Sequence, residues 1–419
     1  MNFQRGQVVG RKKKVIIFLY NRLFDPLIQS NFWLYIRDRL ADEQNPYDFH
    51  LITYENPEFP LTPEEKKRVE DWQSRGLAWT PLTWHPGKSL KNKFLDLADG
   101  FRAVAKLRMR GYDHIVTLGS VAGTYAYTYA LPLRLRLFLY QYEPHSEYAL
   151  DNGMWSEESL QYRISHFLEE RAAKYATVIA SGTVFMERRV KEEWRSPAHF
   201  IRIPTVANDR KFLFDSQIRD ETRRELGVDD DTWLLYYPGK FGDLYYRDEF
   251  ARMYRWLREE EPRFHLLIVT PHSDEEVQRL FDKEGVDRGT YTIVHSGYDE
   301  IHRYHFAADF AIISVPPGPS KKFISNIKVG EYLCAGLPFL ITEGVSEDYL
   351  YARDRGVGVV VKDFVEEEIR TAVPKIRSYL QGDREKLRAH CRRIGVEYRG
   401  FEGLNERFKE ALEVLTKNR

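Results

Sequence analysis

The sequence predicts an α/β protein that consists of two doubly wound domains, each built on a parallel sheet. Short apolar runs alternate with longer amphipathic stretches along the chain, which is typical of successive β–α–β units. The 419 residues suffice for two domains that each bury a core. With 43% hydrophobic residues and only 26 glycines and 19 prolines, the composition excludes a disordered or fibrous chain.

The first half of the chain predicts five strands and four helices. The strands are expected at residues 15–20, 49–54, 114–118, 137–142 and 177–180, where short runs consist mainly of apolar residues. The helices are expected at residues 31–40, 94–110, 160–175 and 185–194, where apolar residues recur every three or four positions.

A second series of the same kind follows. Its predicted strands are 233–237, 265–270, 291–295, 310–314, 338–341 and 357–361, and its predicted helices are 248–260, 274–284, 299–307, 327–335, 365–381 and 384–417. The two series indicate a first domain at 1–203, a second at 204–395 and a C-terminal helix at 396–419 that packs back on the first domain. Open α/β sheets bind ligands at the carboxyl ends of their strands, so the cleft between the domains is the expected site.

Charge and cysteine content narrow the class of protein. The 63 Lys and Arg residues balance 63 Asp and Glu residues, which argues against a nucleic-acid binder. Cys334 and Cys391 form neither a disulfide framework nor a zinc pattern, and a reducing cytoplasm is the expected compartment. No apolar run reaches the roughly 20 residues of a membrane-spanning helix, and the N-terminus lacks the apolar segment of a signal peptide.

The segment 314–341 carries the most informative motif. A helix is predicted to begin near Asn326, after a loop rich in proline and glycine, and Lys328 and Glu331 share one face of it. Backbone N–H groups at Ser325 and Asn326, together with Lys328, are suited to bind an anion such as a diphosphate. Glu331 is suited to accept both hydroxyls of a ribose. The alternative is an ordinary Lys/Glu pair on a surface helix.

This segment resembles the nucleotide-sugar-binding motif of family 4 of the retaining GT-B glycosyltransferases. There the motif commonly reads Lys-x-x-Glu-(Tyr/Ala)-(Leu/Met)-Ala-x-Gly-x-Pro, and here Lys328 precedes Glu331-Tyr-Leu-Cys-Ala-Gly-Leu-Pro338. The resemblance covers most of the chain. It includes Tyr-Tyr-Pro-Gly-Lys at 236–240, the interdomain linker at 203–212 and Gln-Tyr-Glu-Pro-His at 141–145.

The resemblance implies a GT-B architecture, with two Rossmann-like domains facing each other across a cleft, and a transferase of the hexosyltransferase class. The donor would be a nucleoside-diphosphate sugar used as a co-substrate, with no other cofactor and no metal. Lys240 and Lys328 would stabilise the leaving diphosphate, and His145 would face the donor sugar. These three residues are the predicted catalytic group. The predicted donor-binding residues are Gly239, Lys240, Arg247, Ser325, Asn326, Lys328 and Glu331.

The first domain would present the acceptor, which is expected to be a hydroxyl of a glycan, a lipid-linked glycan or another molecule. The predicted acceptor-binding residues are Asn21, Ser120, Gly123 and Glu143. His145 and Glu143 each have a structural alternative, because a histidine at a strand end is often satisfied by a neighbouring backbone group.

Three departures from the family pattern stand out. Phe323 occupies the position, eight residues before Glu331, where the family often carries a glutamate. The spacing that usually gives a second basic residue after Lys240 gives Tyr245, and Arg247 stands two residues further on. Residues 21–30 replace the Gly-Gly loop that follows the first strand in the family.

Basic residues gather in one stretch of the first domain, which suggests peripheral contact with an anionic membrane at its cytoplasmic face or with a lipid-pyrophosphate acceptor. A solvated helix face is the commoner explanation. The residues are Lys88, Lys91, Lys93, Arg102, Lys106 and Arg110, with Arg134 and Arg136 nearby.

Two other functions remain open. A GT-B epimerase would act on a nucleotide sugar without an acceptor and would need an acid/base carboxylate, for which Glu143 is the candidate. A non-catalytic glycosyltransferase-like subunit would bind the donor without turnover, and Phe323 favours it. A dehydrogenase is excluded, because no Gly-x-Gly-x-x-Gly follows the first strand.

Overall fold

A computed structural model describes residues 12–87, 89–141 and 143–417. Over these residues the chain forms one parallel sheet of seven strands and a second of six, and helices cover both sheets. The predicted α/β class with two doubly wound sheets is therefore confirmed. Lys88 of the predicted basic stretch and Tyr142 of the predicted fourth strand lie outside the described residues.

The first sheet has the strand order β3-β2-β1-β4-β5-β6-β7, and every neighbouring pair is parallel. Its strands are β1 (Lys13–Phe18), β2 (Tyr47–Glu55), β3 (Ala78–Thr83), β4 (His114–Leu118), β5 (Arg136–Tyr140), β6 (Val178–Ser181) and β7 (His199–Arg202). Its helices are α1 (Trp33–Ala41), α2 (Pro63–Ser74), α3 (Leu90–Met109), α4 (Ser120–Leu133), α5 (His145–Asp151), α6 (Leu160–Tyr175) and α7 (Val184–Arg188).

The second sheet has the order β10-β9-β8-β11-β12-β13, again with parallel pairs. Its strands are β8 (Trp233–Pro238), β9 (Phe264–Val269), β10 (Tyr291–Val294), β11 (Phe310–Ile312), β12 (Phe339–Thr342) and β13 (Gly358–Val361). The helices are α8 (Ser216–Glu225), α9 (Asp248–Glu260), α10 (Asp274–Lys283), α11 (Ile301–Ala307), α12 (Ile327–Cys334), α13 (Asp348–Asp354), α14 (Glu366–Gln381), α15 (Arg384–Arg399) and α16 (Phe401–Thr416).

The central strand β1 shows why its run of apolar residues is unbroken. Val15 and Ile17 are buried in the core beneath α1 and α16, whereas Ile16 and Phe18 are buried in the core beneath α3 and α4. Successive side chains of a strand point to opposite faces, so a strand covered on both faces needs apolar residues at every position.

The C-terminal segment is two helices, whereas the sequence predicts one continuous helix at 384–417. Gly400 separates α15 from α16. Helix α15 packs against α12 of the second sheet, and α16 crosses to the first sheet. There Phe408 is fully buried, and its ring stacks on that of Tyr35 at 4.8 Å.

Loops after β5, β6 and β7 contact the second half of the chain. Asp151 at the end of α5 accepts a hydrogen bond of 2.6 Å from the Ser320 hydroxyl. The backbone N–H of Val184 donates to Glu347 at 2.7 Å. These contacts place the carboxyl ends of the first sheet's strands opposite the second sheet, which makes that edge the one that carries the candidate site.

Candidate active site

Gly239 and Lys328 form the centre of the site. Gly239 directly follows β8, and its N–H donates to the Val269 carbonyl at 2.9 Å. A β-carbon on residue 239 would lie 2.6 Å from Lys328 Nζ and 3.0 Å from the Tyr237 hydroxyl. A larger residue at position 239 would require the flexible Lys328 side chain to shift.

The Lys328 ammonium is half-buried between aromatic rings. Its Nζ lies 4.2 Å from the ring centroid of Tyr245 and 5.3 Å from that of Tyr237. Among the described residues it has no hydrogen-bond or ion-pair partner. Burial lowers the pKa of Lys328 to about 8, and the charge of Glu331 opposes that shift. A desolvated cation without a counter-charge is suited to an anionic ligand.

The N-terminus of α12 is fixed by its own cap and by the C-terminal helices. The Asn326 side chain accepts from the Lys328 N–H at 3.0 Å, so Asn326 is the N-cap residue. Arg399, buried at the end of α15, donates to the Asn326 carbonyl at 3.3 Å. The Ser325 hydroxyl accepts from the Thr205 N–H at 3.0 Å, so it is engaged in the linker between the halves.

Glu331 lies one helical turn after Lys328 and is 8% exposed. Burial raises the pKa of Glu331 to about 7, and the cations Lys211 and Lys328 oppose the shift. Its nearest polar neighbour is His305 Nε2, at 3.9 Å from Oε2. Burial lowers the pKa of His305 to about 3, and the Ile301 carbonyl accepts from its Nδ1 at 2.9 Å. The uncharged imidazole therefore offers Glu331 no ion pair.

A cavity of about 630 Å³ opens beside Gly239 at the carboxyl ends of β8, β9 and β10. Its walls include Thr270, His295 and Ser296. The exposed Lys240 directly follows Gly239. Arg247 is exposed at the start of α9, where its N–H contacts Glu249 at 3.4 Å. Tyr245, at the position expected for a basic residue, is instead the ring closest to Lys328.

Several predicted residues lie at the carboxyl edge of the first sheet, where β4 and β5 end. The Ser120 hydroxyl donates to the Glu143 carbonyl and fixes the loop that leads into α5. His145 is the first residue of α5, and its ring meets Trp155 edge-on at 5.3 Å. Burial lowers the pKa of His145, so its ring is neutral at pH 7.

The Glu143 carboxylate is half-buried and has no hydrogen-bond or ion-pair partner among the described residues. Burial raises its pKa to about 7, and the charge of Lys321 opposes this shift. Lys321 is a buried cation of the second half, and its Nζ contacts Asn152 at 3.0 Å and Asp151 at 3.3 Å. The sequence analysis did not identify Lys321, because its ion pair joins residues 170 positions apart.

Two further predicted residues lie at the same edge of the first sheet. Asn21 follows β1, and its side chain contacts Asp25 at 3.3 Å. Gly123 lies inside α4, where a β-carbon would come within 3.1 Å of Leu139, so its small size serves the packing of α4 on β5. Across the part of the chain that the structure describes, no three His, Cys, Asp or Glu side chains are grouped as metal ligands.

Two Rossmann-like domains that face each other across the carboxyl ends of their strands define the GT-B fold, which this chain has. The Thermosynechococcus elongatus sucrose-phosphate synthase superimposes with a TM-score of 0.71 at 14% identity, over 97% of this chain and 99% of that one. Anabaena Alr3699/HepE in complex with UDP gives 0.67 at 12% identity, over 96% and 99%. WaaG, a glycosyltransferase involved in lipopolysaccharide biosynthesis, gives 0.62 at 17% identity, over 97% and 100%.

These likenesses are structural. No protein-family model matches the sequence, and no curated protein matches it. At identities of 11–17% the solved structures establish the fold, while the chemistry must be argued from the side chains of this chain.

Proposed function

We propose that the protein is a retaining glycosyltransferase that moves a hexosyl group from a nucleoside-diphosphate sugar to an acceptor hydroxyl. One observation carries the proposal: the unpaired, half-buried Lys328 ammonium lies against the Gly239 backbone, one helical turn from the Glu331 carboxylate. A diphosphate supplies the missing negative charge, and a ribose supplies the hydroxyls that a buried carboxylate accepts.

The donor occupies the second domain in this proposal, which we assign to residues 204–395. The cavity of about 630 Å³ beside Gly239 has room for a nucleoside. Anabaena Alr3699/HepE has been solved with UDP and with UDP-glucose. A uridine diphosphate sugar is therefore the first donor to test. Ser325 and Asn326 contribute through the backbone at the start of α12, and Arg247 through its exposed guanidinium.

The Lys residues stabilise the leaving group. As the bond between the sugar and the diphosphate breaks, negative charge develops on the phosphate oxygens, and Lys328 and Lys240 are the cations placed to receive it. In the proposed reaction the acceptor oxygen forms the new bond on the same face of the sugar, and its proton passes to a phosphate oxygen. Because two cations supply the charge, we propose that no metal and no other cofactor is required.

The acceptor binds against the first domain, which we assign to residues 1–203, with the segment 396–419 bracing it. His145, Glu143 and Ser120 line the edge nearest the donor, and Asn21 and Gly123 belong to the same edge. A neutral imidazole accepts or donates one hydrogen bond, which suits a sugar hydroxyl. The proposed acceptor is a glycan or a lipid-linked glycan, and nucleic acid is not a proposed partner.

We also propose a cytoplasmic location with peripheral contact at the inner face of a membrane. Leu160, Ile164 and Phe167 follow helical spacing on α6, and each is at least 49% exposed. The Arg171 guanidinium lies 5.1 Å from the Phe167 ring centroid, so an apolar face adjoins a cation. Within the described residues no helix has both the length and the apolar character needed to cross a membrane. Co-sedimentation with anionic and with zwitterionic vesicles tests the contact, and Phe167→Asp should abolish it.

Two observations support the alternatives. The unpartnered Glu143 carboxylate, with its pKa near 7, has the properties of an acid/base group that an epimerase would need. Phe323, buried where a family glutamate is expected, favours a subunit that binds a donor without turnover.

One experiment separates these functions. Thermal unfolding is measured with UDP, GDP and ADP and with their sugar derivatives, because a ligand at 100 times its Kd adds about 2.7 kcal/mol of apparent stability. Release of the nucleoside diphosphate is then followed with and without acceptors. Acceptor-dependent release supports the transferase, conversion of the sugar without release supports the epimerase, and binding without consumption supports the subunit. Absence of a shift with every nucleotide contradicts all three.

A further inference from the structure

A second polar cluster lies at the carboxyl edge of the first sheet, away from Lys328. Tyr20 follows β1, Trp84 and His85 directly follow β3, and Lys93 and Asp96 lie in the first two turns of α3. We call these five residues the Lys93 cluster. Lys93 also belongs to the predicted basic stretch, and no predicted catalytic, donor-binding or acceptor-binding residue belongs to the cluster.

Asp96 organises the cluster from within. Its side chain is fully buried. Oδ1 accepts from His85 Nδ1 at 2.8 Å and from the His85 N–H at 3.1 Å. Oδ2 accepts from the Tyr20 hydroxyl and lies 3.8 Å from Lys93 Nζ. Both oxygens of the carboxylate are therefore occupied by groups of the protein, and none is left for a ligand.

The groups around Asp96 keep hydrogen-bonding atoms without a protein partner in the described part of the chain. The Lys93 side chain is 37% exposed, and its ammonium makes one hydrogen bond, to the Tyr20 hydroxyl at 2.9 Å, although it has three N–H groups. His85 is 28% exposed, and its Nε2 has no partner among the described residues. One buried carboxylate thus fixes an imidazole and an ammonium side by side, with unused hydrogen-bonding capacity on both.

Aromatic rings border these donors. Lys93 Nζ lies 5.2 Å from the ring centroid of Tyr20 and 5.9 Å from that of Trp84. The Tyr20 ring is itself packed at 4.8 Å against that of Tyr125 on α4. Half-exposed aromatic faces beside polar donors are suited to a ligand with both C–H faces and polar substituents, which is the surface of a sugar.

The position of the cluster relates it to the acceptor. Strands β5, β6 and β7 end against the second domain, and β1 ends at the same edge, two strands from β5 in the sheet. Neighbouring strands lie about 4.8 Å apart, so the end of β1 is about 10 Å from the strand that leads to His145. Trp84 and His85 follow β3, two strands beyond β1, so the cluster continues the same edge of the sheet away from His145.

We propose that the Lys93 cluster binds an anionic substituent of the acceptor, a phosphate or a carboxylate carried by a sugar. Lys93 supplies the charge, and Trp84 and Tyr20 border the sugar ring. Because His85 Nδ1 donates its hydrogen bond to Asp96, His85 Nε2 accepts a hydrogen bond from a sugar hydroxyl. Asp96 is a positioning residue, since its oxygens are already occupied. This inference rests on the proposed function, because it names the acceptor class of the same cleft.

Isothermal titration with glucose 6-phosphate, glucuronate and glucose tests the proposal. The full chain is first saturated with UDP, so that the donor site is filled. The titrations are then repeated without UDP in a Lys328→Met variant, in which the cation of the donor site can no longer bind the anionic probe. We expect glucose 6-phosphate or glucuronate to bind at least about tenfold more tightly than glucose. The reason is that glucose cannot make the charge-assisted hydrogen bond that the anion makes, and one such bond typically contributes this much affinity. The preferred probe distinguishes phosphate from carboxylate.

The variants are Lys93→Met and His85→Gln, with Lys66→Met on α2 as an exposed control that has no ion-pair partner among the described residues. Lys93→Met should lose the preference for the anionic probe, His85→Gln should weaken binding of all three sugars, and Lys66→Met should keep both the preference and the affinities. Equal binding of glucose and the anionic sugars, no binding of either anion, or an unchanged preference in Lys93→Met would overturn the proposal. UDP binding, measured in the same samples, reports separately on the donor site.

Discussion

The Gly239 backbone and the Lys328 ammonium lie so close together that one added β-carbon on residue 239 would fill the space between them. A β-carbon at residue 239 would lie 2.6 Å from Lys328 Nζ, closer than van der Waals contact allows. A side chain at residue 239, directly after β8, would therefore require the Lys328 side chain on α12 to move.

Replacing Gly239 tests this relationship directly. We expect Gly239→Ala to displace the Lys328 side chain and to weaken binding of a nucleoside diphosphate by about tenfold or more, because a charge-assisted hydrogen bond is lost. Titration calorimetry with UDP measures the change. Gly403→Ala is the matched control, since Gly403 lies in α16 with no atom within 4 Å of a β-carbon. Equal affinities in the two variants would show that the close approach has no role in binding.

Replacing Lys328 should change stability and activity in opposite directions. Lys328→Met removes an unpaired, half-buried charge, so we expect the free energy of unfolding to rise by on the order of 1 kcal/mol at pH 7. Loss of a cation aimed at the leaving group should lower kcat by roughly 10²–10³. Chemical denaturation and the rate of nucleoside-diphosphate release measure the two effects.

The stability effect has a defined dependence on pH. The pKa of Lys328 is about 8 in the folded chain and 10.5 without burial. Between pH 8 and pH 10.5 the side chain is therefore protonated in the unfolded chain and deprotonated in the folded chain. Stability of the parent protein therefore gains from this group as pH rises from 8 to 10.5, and Lys328→Met lacks that gain. Lys240→Met, at an exposed position, is the control that should change activity without raising stability.

Donor affinity should depend on pH in a bell-shaped manner. Glu331 must be ionised to accept ribose hydroxyls, and its pKa is about 7; Lys328 must be protonated to bind the diphosphate, and its pKa is about 8. Affinity should rise through pH 7 and fall above pH 8, and the two apparent values belong to the interacting pair. Titration with UDP-glucose measures it, because its diphosphate stays ionised throughout. In Glu331→Gln the affinity should no longer decrease below pH 7, while the decrease above pH 8 should remain. An affinity of the parent protein that does not change with pH would contradict the roles of both Glu331 and Lys328.

The fold could be predicted where strands are buried on both faces. An unbroken apolar run such as that of β1 indicates a central parallel strand. The sequence did not predict β3 (Ala78–Thr83), because β3 is a half-exposed edge strand that contains Pro81. Helix α4 was missed for a different reason. Its sequence has no charged residue, alternates tyrosines with small residues and contains Pro132, so it lacks the periodicity of a surface helix.

The geometry of the candidate site could be predicted where it depends on local spacing. Lys328 and Glu331 lie three residues apart on one helix, so the sequence alone places them on one face. Tyr245 and Lys321 could not be found in this way. The ring of Tyr245 meets Lys328 across 83 positions of the chain, and Lys321 meets Asp151 across 170, so only tertiary packing brings them together.

The ion pair between Asp151 and Lys321 joins the two halves of the chain, and its energetics can be measured with a double-mutant cycle. Lys321 Nζ lies 3.3 Å from Asp151 Oδ2, and the two side chains are 4% and 13% exposed. Asp151→Asn keeps an oxygen for the Ser320 hydroxyl but leaves the ammonium without its counter-charge, which should cost about 3 kcal/mol of stability. Lys321→Met leaves the carboxylate uncompensated and should act similarly. The double variant should lose less than the sum of the two, with a coupling of about 0.5–3 kcal/mol.

Lys322→Met is the control for this cycle, because Lys322 is adjacent and has no ion-pair partner among the described residues. Additive losses in the double variant would mean that the pair does not hold the halves together. The opposite conclusion needs three results together: coupled losses of stability, a raised KM for the donor, and an unchanged affinity for UDP in the absence of acceptor. These results would mean that the ion pair holds the two halves together. The reason is that in the proposed function UDP contacts the second domain alone, whereas turnover would require the His145 edge of the first domain to stay opposite Lys328.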